Sequence, residues 1–256
     1  MTARIQTFPL GNADTLRLDL ADDRKVLIDF ADMRNGDDDD KRCDLPAELR
    51  RDLQRAGRNY FDAVCITHTD RDHCKGFGDF FWLEHAKTYQ GEGRIKIDEL
   101  WVPAAAILEE NLKDDARIVR AEARHRLREG RGIRVFSFPD RLKSWMEKEG
   151  LDFDSRKHLI VDAGRLVPGY SIDGPERAEF FVHCPFAWRQ DENNVVVRNE
   201  DSIVMHVTLI EGGRPSKLFL ASDVDHETLS QIVQTSRKHN NEHRLRWDVM
   251  KLPHHC

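Results

Sequence analysis

The spacing of hydrophobic and polar positions changes along the chain, and each change marks an element. Residues 5–10 and 15–20 are short, largely apolar stretches on either side of the turn-forming tetrad Gly11-Asn12-Ala13-Asp14, and read as two strands. Residues 25–30 (Lys-Val-Leu-Ile-Asp-Phe) give a third, after the polar turn Asp22-Asp23-Arg24. Residues 46–57 open on Pro46 and close on Gly57, the terminal signals of a helix. Residues 107–128 hold the longest helical pattern: Leu108, Leu112, Ala116, Val119, Ala123 and Leu127 step by three and four. Residues 100–103, 158–161, 165–167, 179–182, 202–210, 217–220 and 247–252 read as strands, and 141–149 and 226–237 as helices, the latter capped by Asp225.

One apolar run ends differently from the others. Val64, Cys65 and Ile66 close a buried strand, and His68, Asp70, Asp72 and His73 follow within seven residues. Imidazoles and carboxylates this close repel or desolvate one another unless a positive charge sits between them. A divalent cation supplies that charge. One ion could hardly take all four donors from so short a loop, so the spacing predicts two adjacent sites. A solvated His/Asp-rich turn is the plainer alternative. Against it, four predicted strands end in a metal-competent residue, at His68, His183, Asp223 and His254, and sites in α/β proteins gather at strand ends. Phe77, Phe80, Phe81, Trp82 and Leu83 predict a helix or turn packed beneath the loop.

Composition narrows the function classes. The 256 residues suffice for one large domain or two small ones, with 34 % charged and 39 % hydrophobic residues. A formal net charge of −6 argues against a protein that coats nucleic acid indiscriminately, though a nucleic-acid enzyme needs only a local basic face. Arg117, Arg120, Arg124 and Arg128, continued by Arg131, repeat along the long helix as a stripe that could grip phosphates. An ordinary solvated face, partly neutralised by Asp114, Asp115, Glu122 and Glu129, is the competing reading. The acidic run Asp37-Asp38-Asp39-Asp40 reads as a solvated surface loop. No apolar run approaches the ~20 residues that span a bilayer, and the first residues lack the apolar core of a signal peptide. Five cysteines without C-x-x-C spacing predict free thiols in a reducing compartment, and a cytoplasmic protein without a membrane partner.

Five motifs in order bring the chain close to a family. It resembles the metallo-β-lactamase-fold hydrolases, and among them the soluble hydrolase domain of the DNA-uptake channel protein ComEC. The superfamily loop H-x-H-x-D-H is here His68-x-Asp70-x-Asp72-His73, with aspartate replacing the second histidine as in the ComEC type. The family's opening turn and L-I-D strand are matched by Gly11-Asn12-Ala13-Asp14 and Leu27-Ile28-Asp29. Its N-x-x-S-[IVL]-V strand is matched by residues 199–204, and its strand ending in a bridging aspartate by Phe219-Leu220-Ala221-Ser222-Asp223. Its D-V-[LM]-K-[VL]-P-H-H-G ending is matched by residues 248–255, with Cys256 in place of the glycine. The stretch from about residue 80 to 177 carries little of the likeness.

The resemblance implies an α/β fold, the metallo-β-lactamase-like αββα sandwich, as a single domain over 1–256. Its N-terminal half would span about 1–170 and the start of its C-terminal half about 171–256. Further strands and a helix normally follow the His-His motif, so a C-terminal continuation or a partner protein is expected to complete the fold. Carried over by position, one divalent ion, zinc or manganese, would lie near His68, Asp70 and His183, with a plain strand-end histidine as the alternative reading of His183. The second would lie near Asp72, His73 and His254, with Asp223 bridging. A water shared by two such cations loses its proton near neutral pH. Asp72 would then serve the chemistry directly, and His255 could protonate the leaving oxygen or turn outward. The expected activity is a phosphodiesterase or nuclease acting on DNA or RNA. Cleavage of another ester or thioester, or a non-catalytic scaffold or sensor keeping the fold, are the alternatives.

Overall fold

The computed structural model describes residues 2–37, 39–193 and 196–254. The first sheet runs β1 (Arg4–Thr7), β2 (Leu16–Asp19), β3 (Lys25–Ile28), β4 (Tyr60–Cys65), β5 (Lys96–Pro103), β6 (Ile133–Phe136) and β7 (Ile160–Val161), each strand beside the next in the sequence. β1 to β3 pair antiparallel, and β3 to β7 pair parallel. Parallel neighbours need crossovers, and the helices supply them. α1 (Leu45–Arg55) links β3 to β4; α2 (Arg71–Cys74) and α3 (Phe77–Phe80) link β4 to β5. α4 (Ala104–Leu108) and α5 (Asp114–Glu129) link β5 to β6, and α6 (Asp140–Lys148) leads towards β7. The second sheet follows: β8 (Ala178–Cys184), β9 (Val204–Glu211), β10 (Arg214–Leu220) and β11 (Val249–Lys251), with α7 (Ala187–Asn193) after β8 and α8 (His226–Lys238) after β10. β8, β9 and β10 are antiparallel, while β11 joins β10 parallel.

Alternation along the strands assigns the layers. Leu18, Val26, Ile28, Ala63, Cys65 and Trp101 of the first sheet meet Phe180, Val182, Met205, Val207, Leu218 and Leu220 of the second, so the sheets pack face to face. The intervening residues Leu27, Val64, Leu100 and Val102 turn outward onto Leu49 and Leu53 of α1, Phe77 of α3, Val119 and Leu127 of α5, and Leu142 of α6. On the other side Val204, Phe219 and Ala221 pack with Ile232 of α8. The result is helix, sheet, sheet, helix, the αββα sandwich that the resemblance implies. None of the described helices is long and apolar enough to cross a membrane. Cys43, Cys65, Cys74 and Cys184 are free thiols, as expected.

The long helix predicted over 107–128 is two helices. Asn111 and Asp114 have φ of +59° and +45°, outside the helical region, so the first helix ends at Leu108 and a second starts at Asp114. The break exposes carbonyls, and arginines of the predicted stripe satisfy them. Arg124 donates to the Ile107 carbonyl from Nε (2.9 Å) and Nη2 (2.7 Å), and Arg120 Nη1 donates to the Glu109 carbonyl at 2.6 Å. The helix α7 has no counterpart among the predicted elements.

Candidate metal centre

The parallel pairs β3–β4 and β10–β11 finish at one rim of the sandwich, and chemistry-bearing residues lie just past their ends. Asp29 follows β3, Thr67 and His68 follow β4, Ser222 and Asp223 follow β10, and Lys251 and His254 end and follow β11. Asp14, from the β1–β2 turn, joins them by donating its backbone N–H to the Asp72 carbonyl at 3.2 Å. Asp29 and Ser222 hold φ of +59° and +50°, a left-handed backbone that costs energy for any residue with a Cβ. Both turns are fixed by side-chain bonds. The Asp29 carboxylate accepts from the Thr67 N–H (2.7 Å) and the Thr67 hydroxyl (2.8 Å), and Ser222 Oγ donates to Thr67 Oγ1 at 2.9 Å. Thr67 thus ties the two sheets' strand ends together.

His68, His73 and Asp223 are buried and bring one donor atom each within 4.8 Å of the others. His73 Nε2 lies 3.3 Å from Asp223 Oδ1, and His68 Nε2 lies 3.8 Å from Asp223 Oδ2. The imidazole rings stand 3.9 Å apart, tilted by 49°. The second oxygen of Asp70 lies 3.7 Å from His68 Nε2, and Asp72 Oδ2 lies 3.9 Å from His254 Nε2. His254 is anchored by its N–H to the Ser222 carbonyl at 3.3 Å. Lys251 brings a fixed positive charge: its Nζ pairs with Asp14, donates to the Ser222 carbonyl at 2.8 Å, and lies 3.6 Å from Asp223 Oδ1.

Charge decides the protonation of the two histidines. Burial and the neighbouring His73 hold His68 down to about 3, so its imidazole is neutral. Burial also pulls His73 down, but the charges of Asp29 and Asp223 and the bond to Asp29 outweigh it and raise His73 to about 10. Asp223 is destabilised as an anion by burial, yet the close approach of His73 and the charges of His73, His68 and Lys251 take it well below the ordinary carboxylate range. The bond from His73 Nδ1–H to Asp29 Oδ2, 2.8 Å long, holds the Nδ1 proton and aims Nε2 at Asp223, so that Nε2 is the nitrogen that would give up its proton to a cation.

These donors fit a divalent cation. Two ligands each about 2.1 Å from a tetrahedral ion stand roughly 3.4 Å apart, close to the 3.3 and 3.8 Å spacings from Asp223 to the imidazoles. His68 Nε2 and His73 Nε2 are buried with no hydrogen-bond partner among the described residues. Native interiors satisfy such atoms, and a cation bound by both imidazoles and the anionic Asp223 would do so here. Nitrogen and oxygen donors suit zinc, and the carboxylate share also admits manganese.

The other predicted site residues are placed as follows. Asp70 lies beside His68 but also accepts from Arg198 Nη1 at 2.6 Å through its first oxygen. Arg198 grips Glu109 as well, through Nε at 2.8 and 2.9 Å and Nη2 at 2.5 Å. These bonds hold the guanidinium charged and its pKa above its ordinary value. His183 is not brought to the cluster. Along β8 Ala178, Phe180 and Val182 face the other sheet, so the period of two sends His183 outward. There its Nε2 meets the Arg244 carbonyl at 3.2 Å, its Nδ1 the Ser236 hydroxyl at 3.4 Å, and burial lowers it to about 4. Of the predicted phosphate-gripping stripe, Arg120 and Arg124 also pair with Glu110, and Arg128 with Glu149, while Arg117 is exposed. His255 lies outside the described residues. Asp14, Asp29, Thr67, Lys251 and Arg198 were not singled out as site residues in the sequence. The first four stand inside or beside the recognised motifs, whereas nothing local marks Arg198.

No family model and no curated protein matches the chain. Among solved structures it is similar to a β-lactamase from Chitinophaga pinensis, with a TM-score of 0.42, 10 % identity, and 94 % of this chain and 71 % of that one covered. It is similar also to a B3 metallo-β-lactamase described as the first with an active-site glutamic acid, with a TM-score of 0.40, 11 % identity, and 93 % and 72 % covered. A third is the metallo-β-lactamase GOB-18 from Elizabethkingia meningoseptica, with a TM-score of 0.39, 12 % identity, and 93 % and 69 % covered.

Proposed function

We propose that this chain is a metal-dependent hydrolase whose substrates are phosphodiesters of DNA or RNA, and that it belongs with the ComEC-like branch of the metallo-β-lactamase-fold hydrolases. The observation that carries the reading is the buried group of His68, His73 and Asp223, converging from two sheets with both imidazole Nε2 atoms unsatisfied among the described residues. His68, Asp223 and the outer oxygen of Asp70 would hold one zinc or manganese ion. His73, Asp72 and His254, again with Asp223, would hold a second. When bound, such ions polarise a phosphoryl oxygen and lower the pKa of water so that a nucleophile exists near neutral pH.

The chain's own residues prepare that chemistry. Asp29 keeps a proton on His73 Nδ1 and so presents Nε2 as a donor. Thr67 and Ser222 lock the strand ends so that Asp223 cannot drift from the imidazoles. Lys251 places an ammonium beside Asp14 and Asp223, where it would offset charge on an incoming phosphodiester. The ComEC-like order His68-x-Asp70-x-Asp72-His73 supports a nucleic-acid substrate over other esters.

The test is incubation with single- and double-stranded DNA and RNA under zinc and manganese in turn, with the metal content of the purified protein measured alongside. Cleavage that is lost in chelator and in Asp72→Ala and His73→Ala is the expected result. Metal-dependent cleavage persisting in both variants would refute the assignment.

A further inference from the structure

The rim has a second face. A cavity of about 630 Å³ opens beside α2, walled by Thr69, Arg71, Lys75, Lys113 and Arg198, with Asp114 and Asp115 of α5 on the same wall. Its volume falls in the range of ~300–1,000 Å³ that small-molecule sites occupy. α2 explains how one turn serves both faces. Arg71 and Lys75 are four residues apart and lie on one side of the turn, with Cys74, also on the cavity wall, between them. Asp72 and His73 lie on the other side, beside His254 and Asp223. The single turn of α2 therefore lies between the cavity and the proposed reacting centre.

The charges around it are unequally committed. Arg198 is held by Asp70 and Glu109, and the Asp115 carboxylate is spent on the N–H groups of Gly76 (2.9 Å) and Gly78 (2.8 Å). Arg71 and Lys113 are exposed and form no ion pair among the described residues. Lys75 reaches only the Arg34 carbonyl, at 3.5 Å. Asp114 is the wall's one carboxylate not so engaged, so three cations without an ion pair among the described residues outnumber it across one cavity and present an anion site at the mouth of the metal loop. The arginines of α5, by contrast, are occupied by the α4–α5 break and by Glu110 and Glu149.

We propose that this cavity is the subsite for a backbone phosphate flanking the scissile bond, held by Arg71, Lys75 and Lys113, so that the chain prefers polynucleotides to small phosphodiesters. The inference rests on the phosphodiesterase reading and adds to it the residues that recognise the polyanion. Contacts of this kind carry no base information, so recognition is by backbone charge and DNA and RNA are both taken.

The test uses the full chain with a short fluorescein-labelled single-stranded oligonucleotide, as DNA and as RNA, and compares it with Arg71→Gln/Lys113→Gln and Arg71→Glu/Lys113→Glu. In chelator, anisotropy reads binding at several salt concentrations. Loss of two phosphate contacts lowers the slope of log K against log salt by about 1.4 for a single strand, and weakens binding tenfold or more in the charge-reversed pair. With metal present, the ratio of kcat/KM on the oligonucleotide to that on bis(p-nitrophenyl) phosphate falls by a similar factor. Oligonucleotide affinity and salt slope equal to the parent's in both pairs, with circular dichroism unchanged, would overturn the proposal while leaving small-diester hydrolysis to stand. Failure of the parent to hydrolyse either diester with any metal would instead remove the phosphodiesterase reading, and the binding comparison would still decide the subsite.

Discussion

Asp29 Oδ2 lies 2.8 Å from His73 Nδ1, and the same carboxylate accepts both the N–H and the hydroxyl of Thr67. One anion thus orients a candidate ligand and closes the turn that carries another, His68. Asp29→Asn keeps the shape but removes the charge and puts an amide N–H where an acceptor is needed. In metal-free protein, His73 should then titrate well below the value of about 10 set by Asp29 and Asp223, readable by NMR. Divalent-cation affinity, from competition with a chelating dye, should fall about 10- to 100-fold, as for other partners of metal-binding histidines. Equal affinity in parent and variant would show that Asp29 only shapes the turn.

Metal binding should show as stability. A ligand bound only by the folded state at 100 times its Kd adds about 2.7 kcal/mol, which for a domain near this size raises Tm by roughly 5–10 °C. Calorimetry with and without zinc or manganese checks this, and Asp223→Asn should lose most of the rise. An equal rise in Asp223→Asn would place the bound ion elsewhere.

Glu122 is a structural counterpart to the rim carboxylates. Fully buried on α5, it accepts from the N–H groups of Glu84 and His85 (3.0 Å each), His85 Nδ1 (2.8 Å) and Arg126 Nε (2.7 Å). Burial alone would raise its pKa, but the bond from His85 and the charge and bond of Arg126 bring it down to about 2. An acid lowered in this way stabilises the fold fully above its unfolded pKa, and the contribution drains away as pH falls through the folded value. It amounts to about 3 kcal/mol at neutral pH. Urea titrations of Glu122→Gln should show a loss of that order at pH 7 that narrows steadily below about pH 4. A gap that does not depend on pH would assign the loss to packing.

The strands and their polar ends are legible in the sequence because they follow from local pattern, while the layers are legible only through the resemblance that the motifs carry. The strand ends at His68 and Asp223 are visible as apolar runs stopping at a polar residue, and backbone pairing does the rest by placing parallel ends at one rim. What the sequence hid depended on distant partners. His183 also ends an apolar run, and only the alternation of Ala178, Phe180 and Val182 shows that it faces α8 instead. Arg198 gains its position from Asp70 and Glu109, which lie 128 and 89 residues away in sequence. The arginines of α5 kept their helical step, but the break before Asp114 turned two of them into acceptors' partners for α4.

That role for Arg120 and Arg124 is itself testable. Both are partly buried and bond to carbonyls left open by the break, so each substitution to alanine should cost about 1.5–3 kcal/mol, the range for hydrogen bonds to charged groups. Chemical denaturation of each variant measures it. Full stability together with weakened oligonucleotide binding would return the stripe to the nucleic-acid interface.

Asp201 sets the opposite pH dependence to Glu122. Its carboxyl is 2 % exposed and accepts from the Val197 N–H at 3.0 Å, on the segment that also carries Arg198 and leads to Ile203, whose N–H reaches the Thr67 carbonyl at 3.1 Å. Burial raises its pKa to about 6, against the pull of the Val197 bond and Arg189. For an acid raised on folding, the protonated form is the one the native state favours. Its contribution is present below the unfolded pKa near 4 and is lost as pH rises through about 6, a change of about 3 kcal/mol. The parent should therefore lose stability between pH 4 and 6.5 from this group, and Asp201→Asn, which keeps an acceptor for Val197 without the buried charge, should not. Above pH 7 the variant should be the more stable of the two by urea denaturation. If the two proteins follow the same pH curve, Asp201 is ionised at no cost, and a cation or water must share its pocket.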